Sequence, residues 1–302
     1  MPTRQNEKFT GIYTAMVTPM KQDQSVDYKI LEKVVDYQIE QGIHGLIPLG
    51  STGEFYALTD QERDKVIEVV LKTVAGRVPV LAGTNAASTQ MVVEYSRRAE
   101  KAGVDGLLLA PPYYSLPTLD ELYEHYRAVN DAIGIPIMLY NYPGRTGVDM
   151  TCDFIESLME LDRVRYVKES TGQIARISDL IGRCGDRLGV FCGGDTVALE
   201  SFALGAIGWV GGIANVLPAE HVELYNLCVI QKDYDAARDH YYKILPALRT
   251  IEDSGKYTQY VKAGCEIMGN PVGPPRGPLH PVSSDAYENL KEILSTISGK
   301  GL

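Results

Sequence analysis

A short apolar run that stops at a Gly-, Pro- or hydroxyl-rich turn, followed by a stretch with apolar residues at helical spacing, recurs through residue 218 of this 302-residue chain. The runs lie at 12–17, 43–49, 78–82, 104–109, 135–140, 164–168, 188–192 and 206–210. Several, such as Gly106-Leu107-Leu108-Leu109-Ala110 and Ile135-Pro136-Ile137-Met138-Leu139, are nearly continuous in apolar residues. Strands of that kind are buried on both faces, which calls for a parallel sheet covered by helices. Eight alternating β and α units with no composition break between them predict a closed (β/α)8 TIM barrel. An open doubly wound sheet is the alternative; the repeat count, and the lack of a GxGxxG after the first run, favour the barrel.

The intervening helices carry their own punctuation. Asp27 is placed to cap a helix with Ile30, Leu31, Val34, Val35 and Ile39 on one face and Gly42 at its end. Thr59 with Glu62, and Thr118 with Glu121, read as capping boxes. The helix after the third run is expected to bury Met91, Val92, Tyr95 and Ala99 and to end near Gly103, and a short helix is expected over 151–161. Past Pro218 the pattern is wholly helical, with helices over 222–230, 233–251, 257–268 and 284–297 and a Pro/Gly-rich segment at 271–281. We therefore expect a barrel over 1–218 and a C-terminal helical extension over 219–302 packed on it or serving an interface.

Charge and cysteine usage narrow the function. A net charge of −10 argues against nucleic acid and against an anionic membrane surface as partners. No apolar run approaches the ~20 residues that span a bilayer, and the polar start of the chain shows no signal peptide. Five scattered cysteines without a CxxC read as reduced, so a cytoplasmic protein is expected. The five histidines never fall into a ligand spacing such as HExxH, so no metal is expected.

The carboxyl ends of barrel strands converge on one mouth. That mouth would hold Ser51 and Thr52 after the second run, Tyr113 and Tyr114 after the fourth, Tyr140 and Arg145 after the fifth and Lys168 after the sixth. Gly193-Gly194 and Gly211-Gly212 would leave it open after the seventh and eighth. One amine, several phenols, two small hydroxyls and one guanidinium suit imine chemistry. A lysine made neutral by desolvation attacks a ketone, and a phenol with a hydroxyl relay moves the protons. The Gly50-Ser51-Thr52-Gly53-Glu54 turn offers amides and hydroxyls to a carboxylate beside that ketone, and Arg145 offers a bidentate partner to a second carboxylate. Each element also has an ordinary structural reading: a solvated lysine at a strand tip, a plain βα turn, a surface arginine, a barrel-capping tyrosine.

Four motifs in order, Gly50-Ser51-Thr52-Gly53-Glu54, Pro112-Tyr113-Tyr114, Tyr140-Asn141-Tyr142-Pro143 and Lys168-Glu169-Ser170-Thr171-Gly172, resemble the dihydrodipicolinate synthase / N-acetylneuraminate lyase superfamily over nearly the whole chain. The resemblance implies Lys168 as the Schiff-base residue and Tyr140 as proton donor and acceptor. It implies a relay of Tyr140, Ser51 and Tyr114, with Tyr114 reaching in from a neighbouring subunit. Ser51 and Thr52 would bind the pyruvate carboxylate, and Val210 and Gly193 would line the substrate pocket. It implies a homotetramer built from two tight dimers, and no cofactor beyond the covalent imine on Lys168.

Arg145 resembles the residue by which the synthases hold the carboxylate of aspartate semialdehyde. The expected activity is therefore that of a lyase, 4-hydroxy-tetrahydrodipicolinate synthase, in lysine and diaminopimelate biosynthesis, with pyruvate or another 2-oxo acid and an aldehyde co-substrate as ligands. Ser51 departs from the usual threonine while keeping the hydroxyl. Gly208-Trp209-Val210 and Thr258-Gln259-Tyr260-Val261-Lys262 look more like relatives that dehydrate or deaminate 2-oxo acids. An aldolase, dehydratase or deaminase of another 2-oxo acid is thus the alternative, whether a 2-keto-3-deoxy sugar acid, N-acetylneuraminate or a hydroxyproline-derived acid. A non-catalytic 2-oxo acid binder is the reading from another class. Ala87 and Met91 stand where lysine-inhibited synthases place Asn and Glu, so lysine feedback is not expected.

Overall fold

The computed structural model describes residues 9–299. Eight parallel strands, β1 (Gly11–Ala15), β2 (Gly45–Ile47), β3 (Leu81–Gly83), β4 (Gly106–Leu109), β5 (Ile137–Asn141), β6 (Val164–Glu169), β7 (Gly189–Cys192) and β8 (Gly208–Gly211), follow one another in one sheet, and β8 pairs with β1. A parallel bridge between Leu46 and Val80 closes the remaining gap between β2 and β3. The predicted (β/α)8 barrel is the observed fold.

Around it run α1 (Tyr28–Glu40), α2 (Asp60–Val74), α3 (Thr89–Ala102), α4 (Leu119–Asn130), the one-turn α5 (Pro143–Thr146), α6 (Cys152–Ser157), α7 (Ile174–Cys184), α8 (Ala198–Ala203) and α9 (Pro218–Tyr225). Then come α10 (Tyr234–Glu252), α11 (Tyr257–Ile267) and α12 (Ser284–Ser298). Both capping boxes are formed, at Thr59/Glu62 and Thr118/Glu121; such caps contribute about 1 kcal/mol each. Asp27 and Gly103 cap as their positions predict.

Two apolar cores share the strands by alternation. One face of each strand packs outward onto the helices. The other faces inward, where Tyr13, Ile47, Leu81, Leu108, Met138, Tyr140, Tyr166, Phe191 and Val210 fill the barrel. Phe9 plugs the amino-terminal end, with its ring 5.0 Å from that of Tyr166. Large inner rings are matched by strand glycines: a Cβ at Gly45 would lie 2.1 Å from the Tyr13 ring.

The structure departs from the sequence expectations in particular places. Most strands are shorter than the apolar runs, because the run ends turn away from the sheet. Met91 is 44% exposed on α3, whose buried side is Val92, Tyr95, Ser96 and Ala99; a thioether has no polar atom that betrays its exposure in a periodicity. The helix expected over 222–230 is α9 followed by a π-helical turn, Asn226–Gln231.

Candidate active site

Lys168 and Tyr140 are register partners on neighbouring strands at the carboxyl end of the barrel. A shift of register between Ile137 and Met138 leaves Arg165 of β6 without a partner, since Ile137 pairs with Val164 and Met138 with Tyr166. That extra residue reverses the alternation: Val164 packs in the outer core, whereas Tyr166 belongs to the inner core. Lys168, two residues on, is thereby aimed into the barrel mouth, where its Nζ lies 4.3 Å from the centre of the Tyr140 ring. Both side chains are buried, each residue being 6% exposed.

On the outer side of the same two strands, Asn141 Nδ2 donates to Glu169 Oε2 at 3.0 Å and to the Met150 carbonyl at 3.2 Å, while its Oδ1 accepts the Met150 amide at 3.0 Å. This lattice holds the strand ends that present the amine and the phenol.

Two adjoining cavities open at the mouth. The inner one is lined by Ser51, Thr52, Tyr140, Tyr142, Arg145, Lys168, Ser170, Gly193 and Asp195, with Glu252, Tyr257 and Thr258 from the C-terminal helices. The outer one, about 210 Å³, has aromatic walls from Phe55, Tyr56, Tyr113 and Tyr142. Ser51, Tyr140, Tyr142 and Arg145 border both, so a group bound in the second is presented to chemistry in the first.

Burial sets the proton affinities. Desolvation lowers the Lys168 amine from the ordinary lysine value to about 8, against the opposing pull of the Asp195 carboxylate. Desolvation raises the Tyr140 phenol to about 12, tempered by its hydrogen bond to Ser51 and by the Arg145 charge. The amine is therefore easily made neutral while the phenol keeps its proton, the assignment that imine formation needs.

The structure brings Lys168, Tyr140, Ser51, Thr52, Arg145 and Gly193 to one chamber. Val210 lies in the inner barrel core with Phe191 and Tyr140 rather than among the lining residues. Tyr114 is away from the chamber within the single chain: it is 95% exposed, on backbone with φ +73°. Gly193 has a steric role, because a Cβ there would sit 2.0 Å from Ser170 Oγ and 2.7 Å from Lys168 Cγ. Gly193→Ala is therefore expected to fold, by circular dichroism, yet to slow borohydride trapping of a 2-oxo acid on Lys168 by about 100-fold, as a misplacement near 1 Å does.

Reading along the sequence missed the wall opposite Tyr140. Asp195 is buried, accepting from Trp209 Nε1 at 2.9 Å and from the Tyr257 hydroxyl. The Tyr257 oxygen accepts the Gly212 amide at 3.0 Å, and Glu252 accepts the amides of Asp195 and Thr196 at 3.1 and 2.8 Å. Trp209 is fixed by stacking on His221, with ring centres 3.9 Å apart. Burial, reinforced by the Glu252 charge, raises the Asp195 carboxyl to about 7. Asp195 follows the Gly193-Gly194 turn at a strand end, a signal that was available. Glu252 and Tyr257 carry none, since they arrive from helices beyond the eighth strand.

The family model for the "Dihydrodipicolinate synthetase family" matches residues 8–297. A curated relative, 4-hydroxy-tetrahydrodipicolinate synthase of Pelobacter propionicus, is 38% identical over 288 residues, covering 95% of this chain and 98% of the relative. Among solved structures, dihydrodipicolinate synthase of Aquifex aeolicus superposes with a TM-score of 0.92 at 34% identity, covering 96% of this chain and 98% of that one. The chloride-inhibited dihydrodipicolinate synthase of Acinetobacter baumannii, complexed with pyruvate, does so with a TM-score of 0.90 at 35% identity, covering 96% and 99%. With the barrel, the buried lysine–tyrosine pair and a match of this length agreeing, the chain belongs to the dihydrodipicolinate synthetase family.

Proposed function

We propose that this chain is a Schiff-base lyase that condenses pyruvate with aspartate semialdehyde, the reaction of a 4-hydroxy-tetrahydrodipicolinate synthase. The observation that carries the proposal is the buried amine of Lys168 against the Tyr140 ring, in a chamber whose far edge holds the Arg145 guanidinium. Arg145 makes no ion pair among the described residues, which leaves it for a ligand carboxylate.

The neutral Nζ of Lys168 attacks the ketone carbon of pyruvate, whose carboxylate is held by the Ser51 and Thr52 hydroxyls. Tyr140 passes a proton to the carbinolamine oxygen, which leaves as water and gives the protonated imine. The Tyr140 phenolate takes back a proton from the methyl group, which forms the enamine, and the enamine carbon bonds to the aldehyde carbon of the semialdehyde held by Arg145. The resulting alkoxide takes a proton through Tyr140 and Ser51. The amino group of the semialdehyde then adds to the imine carbon and displaces Lys168 Nζ, which frees the cyclic product and restores the neutral amine, while the proton that the amino group gives up returns to the Tyr140 oxygen. The covalent imine supplies the electron sink, so no metal or organic cofactor enters the scheme.

Tyr114 completes the relay from a neighbouring subunit in a homotetramer of two tight dimers. Its support here is an aromatic ring held out in solvent on left-handed backbone, a conformation that persists for a reason other than local stability. The Acinetobacter baumannii structure is complexed with pyruvate, and the Pelobacter propionicus relative is a 4-hydroxy-tetrahydrodipicolinate synthase.

Arg145→Ala separates the two substrates. Pyruvate trapping by borohydride should stay within about twofold of wild type, while kcat/KM for aspartate semialdehyde falls on the order of 100-fold, the loss of a bidentate charged pair. Equal turnover of the semialdehyde by this variant sinks the assignment of the second substrate. Release of pyruvate, water or ammonia from another 2-oxo acid by the wild-type protein, with no semialdehyde condensation, puts an aldolase, dehydratase or deaminase in its place.

A further inference from the structure

A buried ion pair that no chemical step above uses joins the carboxylate-binding turn to the C-terminal helices. Glu54 closes the 50–54 turn; it is wholly buried and its backbone is left-handed, with φ +57°. Its Oε1 lies 2.6 Å from Lys262 Nζ, and its Oε2 accepts the Arg276 amide at 2.7 Å. Lys262, on α11, also donates to the Pro274 carbonyl at 2.9 Å. Arg276 in turn pairs with Glu62 through both terminal nitrogens at 2.7 Å and donates to the Ala57 carbonyl at 2.9 Å. One carboxylate thus gathers a helix and a loop from the far end of the chain onto the turn that carries Ser51 and Thr52.

Stability does not explain such a pair. Desolvating two charges offsets most of their attraction, and apolar residues of similar volume commonly hold a fold as well or better. What the pair supplies is position. The Glu54 amide donates to the Ser51 carbonyl at 3.1 Å and the Gly53 amide to the Gly50 carbonyl at 3.0 Å, so a displaced Glu54 carries the hydroxyl residues with it. A non-glycine residue in left-handed backbone holds that conformation only where its surroundings over-determine it.

Resting on the assignment of a 2-oxo acid to the Lys168 chamber, we infer that Lys262 is a positioning residue: through Glu54 it holds Ser51 and Thr52 against the substrate carboxylate. The C-terminal helix α11 thereby sets affinity at the barrel mouth without Lys262 touching substrate.

The test compares wild type with Lys262→Arg, Lys262→Met and the double variant Glu54→Leu/Lys262→Met in the full chain. Steady-state kinetics with pyruvate, thermal midpoints and amide hydrogen exchange over 49–57 are measured for each. In Lys262→Met, KM for pyruvate should rise about tenfold with kcat within about threefold, and the 51–55 amides should exchange about tenfold faster while those of β6 do not change. Lys262→Arg should recover most of both effects. The apolar pair should recover the thermal midpoint but neither KM nor exchange protection. An unchanged KM, or a KM that recovers in step with the midpoint in the double variant, overturns the inference. If Lys262→Met does not fold, the double variant decides by the same two outcomes. Should wild type trap no pyruvate, the substrate assignment fails separately; exchange over 51–55 then decides, and unchanged exchange overturns the positioning role.

Discussion

Lys168→Met should abolish the borohydride-stable pyruvate adduct seen by intact-protein mass spectrometry and lower turnover by on the order of 10⁴-fold or more, because the nucleophile itself is lost. Methionine keeps the length and apolar stem of the side chain, so the inner core beneath it is preserved. An adduct persisting in this variant would place the imine on another amine.

The pH dependence of the wild type carries the same mechanism with a definite sign. Only the neutral amine attacks, and burial lowers its proton affinity to about 8. Roughly a tenth of the amine is then neutral at pH 7, against well under a thousandth for an ordinary lysine. The rate of adduct formation should therefore climb with rising pH between about 6 and 8 and level off above about 9, set by that lowered value. The Tyr140 phenol, raised to about 12, keeps its proton over this whole range and imposes no alkaline fall. A rate still climbing at pH 10 would show an amine that is not desolvated.

Tyr140→Phe is expected to lose 10²- to 10⁴-fold in turnover, the usual contribution of a positioned proton donor. The substitution removes one oxygen and leaves the ring, which packs in the inner core and stacks on Tyr142 at 5.9 Å between centres. Fold and pocket shape should be unchanged, and pyruvate should still bind reversibly. Borohydride trapping should slow because expulsion of water from the carbinolamine lacks its proton. A variant within about tenfold of wild type in both adduct formation and turnover would transfer the proton role elsewhere in the chamber, with Asp195, raised to about 7, as the next group to test.

Much of this site was legible before any coordinates because barrel strands converge. Once the eight apolar runs are read as parallel barrel strands, the residues just past each run must share one mouth, whatever lies between them in sequence. Ser51, Thr52, Tyr140, Arg145, Lys168 and Gly193 were found in this way, and all line the inner cavity. The C-terminal contributions were not legible, because Glu252, Tyr257 and Lys262 sit on amphipathic helices whose periodicity says which face is buried but not against what.

Two kinds of information thus separate cleanly. The amino-acid order, through apolar run length, capping residues and turn chemistry, determined the eight βα units, the barrel they close into and which strand end carries the lysine, since these follow from local periodicity and from the burial of both strand faces. Only the tertiary structure decided that Lys168 points inward together with Tyr166 although Val164 points out, because a register shift against β5 reverses the alternation of β6 and pairing partners are not written in a single strand. It likewise decided that the amine is dry and easily neutralised, since desolvation is a property of everything packed around a group rather than of the group itself.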